Sequence, residues 1–362
     1  MNGRVLVTGG DGYLGRRVAR ALLEEGRAVR LWVHARDAAA LEVRRQAAAA
    51  ELGGFGRLLA WSGGDLRAAE PFAGVDPGEL EAIVHAAAVV RFNVDAASAD
   101  RVNVAGTARL AAFARRCPRL RFCGLLSTVY ASGLAEGVVE EALLPRPAFA
   151  NHYERSKWEA EQLLAREEAL PWRILRVATA IADDDGGGVS HHNAVHHTLQ
   201  LLYYGLVSTL PGRPETPLYL VTADFVARAV RRLLENSEPH QVYHLAHRRE
   251  QSLTLGGLLE LAWEAFAAEP SFRRRRLLRP LFLDEPGFAL LSGALTTFSG
   301  SVVGDAVASL SPFAAQLFRD KQVANARLLG ALGHDPAPDA AALARATLAH
   351  LVRTRWGRPH AA

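Results

Sequence analysis

The sequence predicts an α/β protein built on a doubly wound parallel sheet. Short apolar segments alternate with segments of helical spacing through the first half of the chain, and a glycine-rich turn joins the first apolar segment to the first helix. The 362 residues are 49% hydrophobic and 22% charged, which is the balance of a globular enzyme of one or two domains. This composition excludes a coiled coil and a disordered tail.

Six apolar segments predict the strands of the sheet. They occupy residues 4–7, 28–33, 57–61, 82–90, 121–127 and 172–178. Helices are predicted between them, including residues 97–116 and 153–168. Further along, a helix is expected over residues 222–236 and a late strand over 241–246, and the chain beyond residue 255 is expected to be mostly helical and without strands.

The alternation predicts a nucleotide-binding domain over residues 1–180, to which residues 222–250 return. Residues 181–221 and 251–362 are expected to form a smaller, mostly helical part that binds the substrate. The segment DDDGGG that follows Ile181 is expected to be a loop or lid.

The segment TGGDGYLG, residues 8–15, follows the first predicted strand and opens a helix. Glycines at such a turn let the backbone approach a pyrophosphate, which the N-terminus of the helix attracts. The spacing alone is weak evidence in a chain with 31 glycines, but its place between strand and helix is typical of a dinucleotide-binding turn.

The residues after the second predicted strand bear on the ribose of that cofactor. Arg36, with His34 and Arg44, can neutralise a 2′-phosphate, which favours NADP(H). Asp37 is the counter-evidence, because an inward carboxylate would accept a hydrogen bond from a 2′-hydroxyl and restore a preference for NAD(H).

Tyr153 and Lys157 form the decisive pattern. Of the 42 basic residues 40 are arginine, and the two lysines are Lys157 and Lys321. Because lysine is so rare in this chain, a lysine one helical turn from a tyrosine indicates a chemical role. A phenol is a poor acid at neutral pH, but a close ammonium favours the phenolate, so the pair can give a proton to a carbonyl oxygen that receives hydride. Thr128, at the end of a predicted strand, can orient the same oxygen.

These motifs resemble the extended short-chain dehydrogenase/reductases, over roughly residues 4–250. The resemblance rests on TGGDGYLG, on HAAA at 85–88, on NVAGT at 103–107 and on the Thr, Tyr and Lys set. The segments YERSKWEAEQLL and LLSTVYASG are most similar to the branch of thioester and fatty acyl reductases.

The resemblance implies a Rossmann fold and a role for each matching residue. Gly9, Gly12 and Gly15 would approach the pyrophosphate, and Lys157 would hold the nicotinamide ribose and lower the pKa of Tyr153, the general acid. Asn103 would serve a helix distortion or a proton path. The cofactor-binding residues expected on this basis are Thr8, Gly9, Gly12, Tyr13, Leu14, Gly15, His34, Arg36, Asp65, Leu66, Ala86, Ala87 and Lys157.

The expected function is reduction of a carrier- or coenzyme A-bound acyl thioester, or a related carbonyl, to an aldehyde or alcohol with NADPH. The alternatives are a ketone or aldehyde reductase or hydroxyl dehydrogenase acting on a free sterol- or polyketide-like substrate, and a non-catalytic NADP-sensing protein. Val177 stands where the family usually has proline, so the substrate loop departs from the family pattern.

The remaining candidates are expected to be structural. Arginine is expected to serve as well as Lys321, and Cys117 and Cys123 are expected to be small core residues of a protein in a reducing cytoplasm. His192 and His196 have the i, i+4 spacing of a metal site, but no third ligand accompanies them and no metal is expected.

The excess positive charge lies towards the C-terminus and is densest at residues 273–276 and Arg279. It suggests contact with an acidic acyl carrier protein or with a coenzyme A phosphate. No nucleic-acid recognition is expected, since the basic run lacks interleaved aromatics, and no segment is apolar enough to predict a membrane span.

Overall fold

A seven-stranded parallel sheet forms the centre of the computed structural model, which describes residues 3–296, 313–334 and 337–357. The strands of the chain are β1 (Arg4–Thr8), β2 (Val29–His34), β3 (Leu59–Gly64), β4 (Leu80–His85), β5 (Phe122–Thr128), β6 (Gly137–Val139), β7 (Trp172–Val177), β8 (Thr179–Ala182), β9 (Thr209–Pro211), β10 (Pro217–Leu218), β11 (Leu220–Thr222), β12 (Gln241–Leu245), β13 (Leu253–Thr254), β14 (Leu281–Leu283) and β15 (Lys321–Val323). The large sheet has the order β12-β7-β5-β4-β1-β2-β3, and all its pairs are parallel.

Helices cover both faces of this sheet, which confirms the predicted doubly wound class. The α-helices are α1 (Tyr13–Glu24), α2 (Ala38–Leu52), α3 (Ala96–Ala99), α4 (Ala105–Ala114), α5 (His152–Ala165), α6 (Ala194–Tyr204), α7 (Ala223–Asn236), α8 (Leu255–Ala267), α9 (Pro270–Arg275), α10 (Glu285–Thr296), α11 (Ala326–Leu332) and α12 (Ala340–Arg353). Helices α1 and α7 pack on one face, and α4 and α5 pack on the other. The strand order reverses beside β1, and such a reversal opens a ligand crevice at the carboxyl ends of the strands.

The central strands are mostly apolar because both of their faces are covered. Every residue of β4, β5 and β7 is buried, including Arg173 and Arg176 of β7. Cys117 and Cys123 are buried and unpaired, as expected of small core residues. The predicted strand over 82–90 ends earlier, at His85, and the chain continues as a loop.

A second apolar core lies among α6, α8 and α12, in the part of the chain expected to bind substrate. The prediction that this part lacks strands is wrong: β14 pairs with β9, and β15 pairs with β6, each through three residues of parallel register. Strands this short carry little local signal. The division into two domains stays a prediction, although Val323 and Leu328 pack in the core of the large sheet.

The predicted helix over 97–116 is interrupted. Residues Asp100–Val104 form a π-helical turn between α3 and α4, and the side chain of Asn103 is buried at its centre. Its amide group bonds to both backbone groups of Val89 at 2.8 and 3.0 Å and donates to Ser156 Oγ at 2.9 Å. Among the described residues, no helix is long and apolar enough to cross a bilayer.

The buried ion pair between Glu161 and Arg176 gives a stability prediction. Both side chains are 0% exposed, with 2.7 Å between Arg176 Nη2 and Glu161 Oε2. Glu161→Leu should cost about 3–5 kcal/mol of unfolding free energy, because it leaves a buried guanidinium without its carboxylate. Urea denaturation measures the loss.

The matched control is Arg115→Met, which breaks the exposed pair with Glu167 and should cost about 0–1 kcal/mol. Equal losses in the two variants would show that burial adds nothing to the Glu161–Arg176 pair.

Candidate active site

Helix α5 carries the expected catalytic residues. Asn151 begins the helix by accepting a hydrogen bond from the backbone N–H of Glu154 at 2.9 Å. The helix turns a polar face inward, on which Tyr153 and Lys157 lie one turn apart and are both buried. The strand ends of β5 face them.

Tyr153 lies against two different kinds of neighbour. Its hydroxyl hydrogen-bonds to the side chain of Thr128, the last residue of β5. Its ring meets Phe92 edge-on, with 5.4 Å between centroids and an interplanar angle of 80°. Burial raises the pKa of Tyr153, and the hydrogen bond from Thr128 opposes this shift.

Lys157 points into the end of the sheet. Its Nζ donates to the backbone oxygen of Leu126 at 2.7 Å, and burial lowers the pKa of the ammonium to about 8 against the opposing charge of Glu161. In this arrangement the phenol of Tyr153 stays protonated at neutral pH. That Lys157 lowers the pKa of Tyr153 stays a prediction for the protein with its cofactor bound.

The glycine turn forms a cradle that side chains would fill. Gly9 has φ +64°, and a Cβ there would lie 2.8 Å from Ala87 Cα. A Cβ on Gly15 would lie 2.2 Å from the backbone oxygen of Gly9, so only glycine allows the helix to approach the turn this closely. Gly12 is the N-cap of α1 and supplies no side-chain cap, which leaves the first N–H groups of the helix for an anion. These features fit a dinucleotide pyrophosphate.

Thr8 ties the ends of β1 and β4 together at this cradle. Its hydroxyl accepts a hydrogen bond from Ala87 N–H at 3.2 Å and lies 2.7 Å from His85 Nδ1. Burial lowers the pKa of His85 to about 3, so the imidazole is neutral. Ala86 and Ala87, which follow β4, are half-buried, and their contact with the nicotinamide ribose stays a prediction.

Tyr13 and Leu14 open helix α1 with different surroundings. Leu14 packs partly buried on the core of the large sheet. Tyr13 hydrogen-bonds to Asp183 and stacks on His191 with 5.0 Å between ring centroids. Asp183 also pairs with Arg17 at 3.1 Å.

Sequence reasoning missed Asp183, which fixes the loop after β8 to the start of α1. The acidic run DDDGGG was the available signal, but nothing local indicates which of its carboxylates is buried.

The side chains that follow β2, where the ribose 2′ group of the cofactor is expected, differ in their contacts. Asp37 accepts a hydrogen bond from Ala40 N–H at 2.8 Å and caps α2. Arg44 pairs with Asp11 at 2.9 Å, whereas Arg36 is exposed and makes no hydrogen bond or ion pair within the described residues. His34 is exposed.

Asp65 and Leu66 follow β3 at the neighbouring strand end. Asp65 pairs with Arg67 at 2.6 Å, which lowers the pKa of its carboxyl to about 2, and lies 4.0 Å from His34 Nδ1. Leu66 is buried against Gly106 of α4. That Asp65 and Leu66 border the adenine stays a prediction.

The expectation that arginine would serve as well as Lys321 is wrong. Lys321 is 8% exposed, and its Nζ donates to Ser132 Oγ, to the backbone oxygen of Gly133 and to Gln316 Oε1. A planar guanidinium cannot point donors at three such divergent acceptors from a compact centre. Ser132 and Gly133 are far from Lys321 in the sequence, so local spacing gave no signal for them.

The rings of Phe92, Tyr130 and Phe313 form an aromatic wall beside Tyr153. Two adjoining cavities lie next to this wall. Phe313 packs edge-on against Tyr130, with 5.6 Å between centroids, and contacts Phe92. It lines both a cavity of about 550 Å³ that includes Tyr130 and an almost wholly apolar cavity of about 610 Å³ between α6 and α8.

The histidines after the DDDGGG loop serve the fold. His196 is buried, and its two ring nitrogens bond to Asn193 N–H and to the backbone oxygen of Ile181. Within the described residues, no group of three or more His, Cys, Asp or Glu side chains could hold a metal ion.

The fold and the site define a nicotinamide-dependent oxidoreductase of the extended short-chain dehydrogenase/reductase type. A family model described as male sterility protein, an NAD-binding family, matches residues 7–230. Because this match spans more than half of the chain, the chain belongs to that family. A search of curated proteins found no match.

Solved structures show the same fold at low sequence identity. The terminal R domain of the myxalamid PKS-NRPS pathway superposes with a TM-score of 0.76 at 22% identity, covering 98% of this chain and 91% of that one. An archaeal thiolation-reductase di-domain from a non-ribosomal peptide synthetase gives 0.71 at 18% identity, covering 99% and 77%. UDP-glucuronic acid 4-epimerase from Bacillus cereus, with UDP-glucuronic acid and NAD, gives 0.65 at 17%, covering 97% and 99%.

The cradle predicts that Gly15→Ala loses cofactor binding. Its new Cβ would collide with the backbone oxygen of Gly9 at 2.2 Å and force the turn away from the helix N-terminus. We expect the Kd for NADPH, read from nucleotide fluorescence, to rise at least about tenfold.

Gly54→Ala is the matched control, since nothing lies within 4 Å of the Cβ it would add. Unchanged NADPH affinity in Gly15→Ala would refute the cradle.

Proposed function

We propose that the protein is an NADPH-dependent reductase that converts an apolar acyl thioester to an aldehyde. The observation that carries this proposal is the position of Tyr153, which faces Thr128 on one side and an aromatic wall leading to an apolar cavity on the other. The family match and the likeness to thiolation-linked reductase domains support the same reaction.

Each residue of the site has its own role in the proposed reaction. A reduced nicotinamide nucleotide, with its pyrophosphate held by the glycine cradle, would supply a hydride to the carbonyl carbon. Tyr153, with Thr128 beside it, gives a proton to the carbonyl oxygen, which yields a hemithioacetal. Lys157 holds the nicotinamide ribose and favours the phenolate that remains on Tyr153. The Tyr153 phenolate then takes back the hydroxyl proton as the carbonyl re-forms and the C–S bond breaks. The leaving thiolate gains a proton from water, so the products are an aldehyde and a free thiol.

The cavity between α6 and α8 supports an apolar acyl group. Leu199 and Leu202 from one helix face Leu258 and Leu259 from the other, and Thr198 supplies the one hydroxyl among the described lining residues. An acyl chain would leave water there without meeting an unsatisfied polar group. A polar sugar would find no such match.

The arrangement beyond β2 supports NADPH over NADH. One carboxylate oxygen of Asp37 is engaged as the cap of α2. Arg36 is exposed and available to a 2′-phosphate. NAD(H) remains the alternative cofactor.

The proposed acyl donor is a carrier protein or coenzyme A. Arg274 and Arg276 are exposed at the end of α9, whereas Arg279 pairs with Glu260 and Arg275 lies 4.9 Å over the ring of Tyr203. The exposed pair offers charge to an acidic carrier or to a nucleotide phosphate.

A matched panel of substrates tests the reaction. Octanoyl-coenzyme A, octanal and a methyl ketone of the same length are incubated with NADPH, and products are identified by mass. We expect octanal and free coenzyme A from the thioester. Turnover of the ketone or aldehyde alone would replace the proposal with its runner-up, a reductase of free apolar carbonyls.

Tyr153→Phe tests the role of the phenol. We expect the rate of NADPH oxidation to fall at least about a hundredfold and the Kd for NADPH to stay unchanged. The variant lacks the proton donor but keeps the glycine cradle. Tyr243→Phe in β12 removes a buried hydroxyl elsewhere and should leave the rate unchanged. Full activity in Tyr153→Phe would overturn the mechanism.

Ala194→Phe tests the cavity. The added ring would fill space at the start of α6, so KM for dodecanoyl-coenzyme A should rise about tenfold or more while KM for acetyl-coenzyme A stays unchanged. The short substrate is the internal control for folding. Parallel changes in both KM values would place the acyl chain outside this cavity.

A further inference from the structure

The second lysine of the chain is buried close to the site and has no place in the reaction above. Lys321 begins β15, and its ammonium has three acceptors for its three protons: Ser132 Oγ at 3.2 Å, Gln316 Oε1 at 2.7 Å and the backbone oxygen of Gly133. Lys321 lines the cavity beside Tyr130, but its ammonium is buried and all three of its protons have acceptors within the protein, which indicates a task in holding other groups.

Gln316 links Lys321 to helix α5 by hydrogen bonds from the two ends of its amide group. While its Oε1 accepts from Lys321, its Nε2 donates to Glu154 Oε1 at 2.7 Å and to Gly133 O at 3.2 Å. Only this orientation of the amide satisfies both neighbours. Glu154 is 0% exposed and directly follows Tyr153. We call Lys321, Gln316 and Glu154 the clasp.

The clasp joins three parts of the molecule that meet at Tyr153. Glu154 lies in the first turn of α5, and Ser132 and Gly133 end the turn that Thr128 begins as its N-cap. Residues 313–323, the C-terminal strap, carry Lys321 and Gln316 as well as Phe313, whose ring packs on Phe92 and Tyr130. The same ammonium thus holds the start of the helix, the Thr128 turn and the aromatic wall in register.

The buried carboxylate of Glu154 depends on the hydrogen bond from Gln316 and on the positive charge of Lys321. Burial raises the pKa of its carboxyl, and its oxygens accept from Ala150 N–H at 2.9 Å, from Asn151 Nδ2 at 3.0 Å and from Gln316. The positive charge of Lys321 across the amide favours the carboxylate. Without it, the buried charge next to Tyr153 would lose its counter-ion and the N-terminal turn of α5 would shift.

We propose that Lys321 is a positioning residue of the active site, which acts through Gln316 and Glu154 to fix Tyr153 against Thr128 and to close the strap over the substrate cavity. This inference rests on the proposed reductase function. It makes the C-terminal strap part of the active site, although it lies about 160 residues beyond Tyr153 in the sequence.

Lys321→Met and Lys321→Arg test the proposal on the full chain. Methionine keeps the volume without the charge, and arginine keeps the charge without the compact three-way geometry. In both, kcat per NADPH-binding site should fall about tenfold to a hundredfold, because a small misplacement of Tyr153 slows proton and hydride transfer. The Kd for NADPH should stay unchanged, since none of the hydrogen bonds of the clasp involves the glycine turn.

The primary isotope effect with 4-deuterated NADPH separates positioning from folding. It should rise in both variants as chemistry becomes limiting. A purely structural role would lower the melting temperature and the fraction of NADPH-binding protein, but leave kcat per site and the isotope effect at wild-type values, and that outcome would overturn the proposal. Arg115→Met, which removes an exposed paired cation, is the matched control and should change neither quantity.

Ser132→Ala guards against a variant that fails to fold. It removes one of the three acceptors and should lower kcat about twofold to fivefold with the same rise in isotope effect. Each variant is assayed with octanoyl-coenzyme A and with octanal. A wild type that reduces octanal but no thioester refutes the proposed thioester reaction and still tests the clasp, whereas wild-type kcat on octanal in all three variants refutes the clasp alone.

Discussion

Helix α5 turns a polar face into the protein, and the rest of the structure depends on satisfying it. Glu154, Ser156, Lys157 and Glu161 are all buried, with exposures of 4% or less. A buried polar group without a partner costs about 1–3 kcal/mol, and a buried charge costs more. Each of these side chains therefore needs a partner from another element.

The partners come from across the chain and hold the catalytic pair in place. Asn103 of the π-helical turn donates to Ser156, the last residues of β5 accept from Lys157, and Arg176 of β7 pairs with Glu161. The C-terminal strap supplies the contact to Glu154. Strands β5 and β7, the π-helical turn and the C-terminal strap thus all contact helix α5 around Tyr153. The position of Tyr153 for proton transfer therefore follows from how the buried polar groups of this helix find partners.

The sequence allowed the sheet, the glycine cradle and the Tyr153–Lys157 pair to be predicted, because strands, turns and helix faces have local spacing. It did not reveal the roles of Lys321 or Asp183, because Ser132 and Gly133 lie more than a hundred residues from Lys321, and Arg17 lies as far from Asp183. The three-residue strands β14 and β15 were missed because each is set by pairing with a remote strand. The helix distortion that the resemblance implied at Asn103 is present as the π-helical turn. Which side chains would hold the cofactor stays a prediction.

The central claim is that this buried face makes Tyr153 a usable acid once the nicotinamide nucleotide is bound. In the free protein burial raises the pKa of Tyr153, and Lys157 donates to Leu126. Phenolate absorbance titrated with and without NADP⁺, as the difference between wild type and Tyr153→Phe, measures the change directly. We expect the pKa of Tyr153 to fall by at least about 2 when NADP⁺ binds, and the fall to vanish in Lys157→Arg. An unchanged pKa in the presence of NADP⁺ would contradict the account.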